Sequence, residues 1–96
     1  MRRFRFTLRA ERDIEEIGDF IARDNPMRAV TFISELTERC EQLIEHPVAA
    51  PLRPEFGPGV RMVPFGRYLI FYMFESSLLE IIRVVHGARN WTEQQE

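Results

Sequence analysis

Lysine is absent from this 96-residue sequence, and all thirteen basic side chains are arginines. Arginine stays charged in proteins, whereas a lysine amine is an adjustable acid or base, so one usual catalytic group is missing. The single cysteine, Cys40, permits no internal disulfide, which is typical of proteins in a reducing cytoplasm. Because Cys40 falls on an apolar helical stripe, we expect a packed thiol and not a nucleophile.

Long apolar runs are also absent, so the sequence predicts no membrane span. Arg5, Arg9 and Glu11 interrupt any apolar region near the start, and we therefore expect no export signal and a cytoplasmic protein. One cysteine and two distant histidines, His46 and His86, give no metal-ligand spacing. With no phosphate-binding glycine loop or nucleophile elbow either, we expect no metal and no cofactor.

The net charge is −2, and it is unevenly distributed along the chain. Residues 1–9 carry four arginines and no acid, whereas residues 10–45 carry ten acids and four arginines. Proteins that depend on phosphate contacts are usually strongly basic. The acidic net charge therefore argues against a protein whose binding depends on nucleic-acid phosphates.

The length and composition fit one small globular domain, residues 1–96, with 45% hydrophobic and 29% charged residues. A chain of this size buries a modest core. We therefore expect its stability to be marginal or shared with a partner.

Periodicity predicts the order strand, two helices, three strands. Residues 3–7 alternate as a half-buried strand, and Thr7 caps a helix over about 8–23. Asn25 caps a second helix that starts at Pro26 and ends near Glu45. An irregular loop precedes three strands, which we expect at 60–65, 67–74 and 78–86.

Residues 67–74 are apolar on both faces, which indicates a central strand covered on both sides. A hairpin of two helices covers one face of such a sheet. We therefore expect a partner protein to cover the other face. Alternation of the last strand places Ile82 and Val84 on one face, and Ile81, Arg83 and Val85 on the other.

Several polar and aromatic side chains have both a functional and a structural interpretation. His86 suits a general base, but a histidine that bonds a backbone carbonyl is the commoner arrangement. Trp91 either stacks on a nucleobase or packs the chain end against the sheet. Asp13 directly precedes Ile14 and is the acid that we expect to pair with a sheet arginine.

Four arginines lie on or beside the predicted strands and either form one anion-facing patch or pair singly with nearby acids. They are Arg61, Arg67, Arg83 and Arg89, and the acids are Glu55, Glu75 and Glu80. The sequence leaves these two alternatives open.

The chain resembles the ParE toxins of bacterial toxin–antitoxin pairs, within the ParE/RelE superfamily. The resemblance runs through nearly the whole chain, and its pieces are Ala10-Glu11-Arg12-Asp13-Ile14, Asn25-Pro26, Arg61, Tyr68-Leu69-Ile70-Phe71-Tyr72, Ile82-Arg83-Val84 and His86-Gly87-Ala88-Arg89. Each piece is weak alone, but their order and spacing are fairly specific. The final His-Gly-Ala-Arg element favours the ParE branch.

The resemblance implies an α+β fold in which the helical hairpin packs on a mostly antiparallel four-stranded sheet. It also implies a cognate antitoxin that forms a hetero-oligomer with the toxin, and DNA gyrase as the target. It implies no membrane and no direct sequence-specific nucleic-acid binding. We expect the target to be bound by Arg83, His86, Arg89 and Trp91, because arginines flank the end of the last strand and tryptophan is enriched at binding hot spots. We expect the antitoxin to be bound by Phe20, Phe32, Tyr68, Ile70 and Tyr72.

RelE-like relatives of the superfamily cut mRNA in the ribosome, and a ribosome-dependent endoribonuclease is the alternative function. Its catalytic candidates here are Arg61, Arg83 and His86. However, the chain has no lysine, and no tyrosine or histidine follows His86. We therefore expect a toxin that acts by protein–protein contact and not by catalysis.

Overall fold

The computed structural model describes residues 2–88, and the predicted order of elements is confirmed. The helices are α1 (Leu8–Ala22) and α2 (Pro26–Gln42). The strands are β1 (Arg3–Phe6), β2 (Arg61–Phe65), β3 (Tyr68–Glu75) and β4 (Leu78–His86). Short 3-10 turns occupy Leu43–Glu45 and Pro54–Phe56.

The four strands of the described chain form one sheet in the order β1-β4-β3-β2. β1 runs parallel to β4, and the other two pairs are antiparallel, so the expected mostly antiparallel sheet is confirmed. α1 packs against α2 and β4 on one face of this sheet. The fold is therefore of the α+β class, with the helical hairpin on one side.

Both helices begin where the sequence predicts. The Thr7 hydroxyl accepts the Ala10 N–H at 3.0 Å, and the Asn25 side chain accepts the Arg28 N–H at 3.0 Å. These contacts satisfy backbone donors that a helix leaves free at its start. α2 ends its regular turns at Gln42, and a 3-10 turn completes the predicted length.

The main core lies between the helices and the sheet, where Leu36 and Cys40 of α2 meet Ile70 and Tyr72 of β3. All four are fully buried. Burial raises the pKa of Cys40 to about 12, so the thiol stays protonated and unreactive. The expectation of a packed core thiol is confirmed.

The second face of the sheet is covered in part by the chain itself, and Met62, Leu69, Met73 and Ile82 stay partly exposed there. The Phe56 ring packs on Phe71 with 4.9 Å between centroids, and Val60 is buried against the same residue. Phe71 is consequently only 4% exposed. The loop after α2 therefore covers the part of this face around Phe71 and Val85, where the sequence led us to expect a partner protein.

A β-bulge divides β4. Phe71 pairs with Arg83, but the next residue of β3, Tyr72, pairs with Ile81, so β4 has one residue more than β3 at this point. The extra residue shifts the alternation of the strand. Ile81 and Val84 therefore both lie in the core under the helices, and the prediction that they face opposite sides is wrong.

Candidate functional site

A groove of about 480 Å³ runs between α1 and the second half of β4. Glu16, Ile17 and Phe20 line it from the helix, and Tyr68 and His86 line it from the sheet. Phe20 is 62% exposed although it is large and apolar. A concave surface with an apolar wall and a few polar groups is a typical binding site.

Asp13 closes one end of this groove and ties α1 to β4. Its carboxylate accepts Arg83 Nε at 2.8 Å and the Val84 backbone N–H at 3.0 Å. Arg9 approaches the same carboxylate at 3.6 Å. Asp13 is 5% exposed, so these donors compensate for the cost of burying its charge. The predicted pairing of Asp13 with a sheet arginine is confirmed.

The bulge and the end of β1 explain why a carboxylate is needed at Val84. β1 ends at Phe6, and Thr7 makes the last contacts to β4 through Ile81 O and Ile82 O. The next backbone donor on that edge of β4 belongs to Val84. Asp13 thus takes the place that a strand carbonyl would have occupied.

His86 lies at the far end of the groove in a defined orientation. Its Nδ1 accepts the Ala88 N–H at 3.1 Å, and its ring meets the Tyr68 ring edge-on at 5.2 Å. His86 therefore shapes the turn that follows β4.

Arg61 lies on β2, at the other side of β3. Its guanidinium donates to the carbonyl oxygens of Val48 at 3.1 Å and Ala50 at 2.6 Å. Nearby, the Tyr72 hydroxyl donates to Pro47 O at 2.9 Å, and a buried tyrosine hydroxyl usually finds such a partner. These contacts hold the loop after α2 against the sheet.

The structure brings together some of the predicted site residues. Arg83 and His86 lie beside the groove, whereas Arg61 serves the loop. Arg67 is exposed in the turn between β2 and β3. Arg89 and Trp91 lie outside the described residues.

The residues expected to bind an antitoxin also separate into two groups. Phe20 and Tyr68 line the groove. Phe32 is 9% exposed, and Ile70 and Tyr72 are fully buried, so these three build the core in the isolated chain. The accessible part of the predicted surface is therefore the groove.

Sequence reasoning missed Glu16 and Ile17 as groove residues. Their positions follow from the helical spacing of Asp13, Ile17 and Phe20, which places the three side chains along one side of α1. The missing information was which side of α1 meets β4. Within residues 2–88 no cluster of ligating side chains suits a metal ion, and no helix has the length and apolarity to cross a bilayer.

Comparison with other sequences shows a clear likeness. Residues 4–91 match the family described as "ParE toxin of type II toxin-antitoxin system, parDE". A protein of Sinorhizobium fredii (strain NBRC 101917 / NGR234) named "Putative toxin Y4kP" is 30% identical over 94 residues. The aligned region covers 96% of this chain and 95% of that protein.

Solved structures with a similar fold also come from toxin–antitoxin systems. A chain of the chromosomal ParDE TA system from P. aeruginosa superposes with a TM-score of 0.79 at 20% identity, over 90% of this chain and 96% of that chain. A chain of the toxin-antitoxin complex RelBE2 from Mycobacterium tuberculosis superposes with a TM-score of 0.65 at 26% identity, over 88% and 96% of the two chains.

Proposed function

The chain belongs to the ParE toxin family of type II toxin–antitoxin systems, and we propose that it stops growth by binding DNA gyrase and not by cutting RNA. The observation that supports this choice is that all three candidate nuclease side chains already form hydrogen bonds within the chain. Arg61 binds loop carbonyls, Arg83 binds Asp13, and Nδ1 of His86 accepts a backbone N–H.

In-line cleavage of RNA needs a base, an acid and cations that converge on one phosphate. Arg83 and His86 lie at the groove, but Arg61 lies across β3 and holds a different part of the chain. The net charge of −2 also gives little attraction to RNA. These features favour action by protein–protein contact.

The proposed target surface is the end of β4 and the chain that follows it. Arg83 is partly buried and bound to Asp13, and His86 binds the Ala88 N–H just after β4. Arg89 and Trp91, which follow outside the described residues, supply side-chain types that are enriched at binding hot spots. The antitoxin would occupy the adjacent groove, with Phe20 and Tyr68 as its contacts.

Expression of the chain without an antitoxin tests the target. We expect growth arrest with a DNA-damage response and gyrase-linked DNA breaks. Deletion of residues 87–96 should abolish toxicity while circular dichroism still reports a folded core, and His86→Gln should reduce toxicity only partly. Arg67→Ala, an exposed arginine outside the groove, is the matched control and should retain full toxicity.

If the chain is instead a nuclease, we expect halted translation and no damage to DNA. Growth arrest with intact DNA, unaffected gyrase supercoiling in vitro and halted translation would overturn the gyrase proposal. Codon-dependent mRNA cleavage that disappears in His86→Ala or Arg83→Ala would establish the nuclease. A small DNA-binding protein encoded by the neighbouring reading frame is the expected antitoxin.

A further inference from the structure

A second cavity, of about 330 Å³, lies at the end of α2 and apart from the groove. It is bounded by the last turn of α2, the loop after it, and the strands β2 and β3. The cavity and the groove have no lining residue in common. A volume of this size lies at the small end of the range for ligand sites in proteins, so it suits a small molecule and not a protein segment.

Contacts between the sheet and the loop after α2 hold the walls of this cavity in place. The Tyr72 hydroxyl and the Arg61 guanidinium both donate to carbonyl oxygens of that loop. The apolar part of the wall consists of Leu43, Ala50 and Val63, which are buried. The cavity is therefore already formed in the free chain, and a ligand does not have to order the loop before it binds.

The polar part of the wall offers hydrogen-bond donors that nothing in the described chain uses. Arg39, Gln42 and His46 line it, and within residues 2–88 no hydrogen bond or ion pair engages these three side chains. Glu35, one helical turn before Arg39, pairs with Arg28 at 3.2 Å. The guanidinium of Arg39, which is partly buried, therefore keeps its donors available to a ligand.

Capping of the helix does not account for this arginine. Basic side chains near the end of a helix often compensate its free carbonyl groups. Here other donors take those carbonyls: the Arg2 guanidinium donates to Ile44 O at 2.6 Å, and the His46 backbone N–H donates to Leu43 O at 3.2 Å. The side chain of Arg39 is therefore free for another role.

The charges around the cavity favour an anion. Among the described residues that line it, none is acidic. Burial raises the pKa of Tyr72, and the positive charges of Arg61 and Arg39 oppose that rise. An ionised oxygen atom is therefore stabilised by both arginines in this part of the molecule.

We propose that this cavity binds a small monocarboxylate, whose carboxylate is held by Arg39 and His46 and whose apolar chain lies against Leu43 and Val63. A guanidinium matches the two oxygens of a carboxylate with two parallel hydrogen bonds. One guanidinium with unused donors suits a single negative charge, and the apolar wall suits a short hydrocarbon chain. The site is independent of the gyrase proposal, because the groove and the end of β4 take no part in it.

A titration followed by NMR tests the class of ligand, with hexanoate as the probe. We expect saturable shifts of the Ala49, Val63 and Tyr72 signals with a Kd of about 1 mM, since the ligand is small. Hexanol lacks the charge and inorganic phosphate lacks the apolar chain, so each should bind at least about tenfold more weakly at the same ionic strength. Equal binding of hexanol or of phosphate, or shifts by hexanoate that do not saturate, would overturn the proposal.

Three variants of the full chain locate the site. Arg39→Gln should weaken hexanoate binding at least about tenfold, because the carboxylate loses its charged partner. Arg67→Gln removes an exposed arginine outside the cavity and should leave binding unchanged. Ala49→Leu fills the cavity without changing any charge and should abolish binding.

Circular dichroism shows that each variant is folded before it is titrated. Equal weakening by the two arginine variants would mean that hexanoate responds only to the overall charge, and the proposal fails. Unchanged binding by Arg39→Gln or by Ala49→Leu would place the ligand elsewhere on the chain, and the proposal fails as well.

Discussion

Arg83 and Arg61 flank the central strand of the same sheet, but the fold uses them differently. Arg83 binds the buried carboxylate of Asp13 on a helix, whereas Arg61 binds the carbonyl oxygens of Val48 and Ala50 in a loop. One contact pairs opposite charges away from water. The other supplies donors to backbone that no strand covers.

The two sides of the sheet therefore differ in how complete they are. On the β2 side, the loop, Arg61 and the Leu52 bridge close the edge. On the β4 side, Asp13 satisfies one backbone donor, and a groove begins beyond it. The closed β2 side stabilises the fold, whereas the groove on the β4 side leaves a surface that a partner can bind.

Asp13→Ala should have the largest effect, because it leaves Arg83 and the Val84 N–H without their carboxylate. Removing one partner of a buried pair commonly costs 3–5 kcal/mol, and since Arg83 is partly exposed we expect a loss of about 3 kcal/mol in the free energy of unfolding. Urea unfolding measures it. Asp13→Asn keeps an acceptor for Val84 N–H and should lose about half as much. Equal losses for Ala and Asn would contradict the role of the backbone contact.

Arg61→Ala tests the closed side and should cost less, about 1–2 kcal/mol, since the freed carbonyls can bind water. The loop after α2 should become cleavable by protease before the rest of the chain. Arg67→Ala is the control and should change stability by less than about 0.5 kcal/mol. Toxicity that disappears in Arg61→Ala, with the fold intact, would instead point to a direct role of this arginine.

Local rules predicted the parts of this fold that depend on near neighbours. The caps at Thr7 and Asn25 follow from side chains that reach a backbone donor three residues ahead. The central position of residues 67–74 follows from their apolar character on both faces. These features need no knowledge of tertiary contacts.

Long-range contacts decided the parts that were mispredicted. The bulge in β4 is stabilised by Asp13, which is seventy residues away in sequence from Arg83, so alternation alone gave the wrong face for Ile81. The cover of the second face comes from Phe56, within a loop rich in proline and glycine. Strand periodicity does not predict such contacts. For the same reason, the sequence did not predict which side of α1 lines the groove.

Alkaline pH should act on the main core, where Cys40 and Tyr72 are buried. Burial raises the pKa of Cys40 from 9.0 to about 12 and raises the pKa of Tyr72 above 10.0. Between pH 9 and 12 the unfolded chain releases the Cys40 proton while the folded chain keeps it, so stability falls as pH rises, and Tyr72 acts in the same direction above pH 10.0. At pH 10 we expect Cys40 alone to account for a loss of about 1 kcal/mol.

Urea unfolding of Cys40→Ala at pH 8 and pH 10 measures this dependence. The variant should show a smaller loss than the parent chain, because one of the two groups is gone. Asp13→Asn should leave the difference between the two pH values unchanged, since Asp13 binds Arg83 and the Val84 N–H. A slope that is identical in parent and Cys40→Ala would show that the thiol does not contribute.

The smallest effect is expected at the two hairpin turns. One joins β2 to β3 and the other joins β3 to β4. The β2–β3 turn has Gly66 at φ 58°, where a glycine adopts the left-handed conformation without steric cost. The β3–β4 turn has Ser76 and Ser77 at φ 51° and 64°, where side chains are disfavoured. Ser77→Gly should therefore raise the free energy of unfolding by about 0.5 kcal/mol, after the entropy that glycine adds to the unfolded chain is subtracted.

Gly66→Ala should lower the free energy of unfolding by about 1 kcal/mol, because no atom lies within 4 Å of the added Cβ and the cost is that of the backbone alone. Thermal unfolding of both variants checks the pair, and a destabilised Ser77→Gly would mean that the serine hydroxyl stabilises the turn by more than its backbone conformation costs.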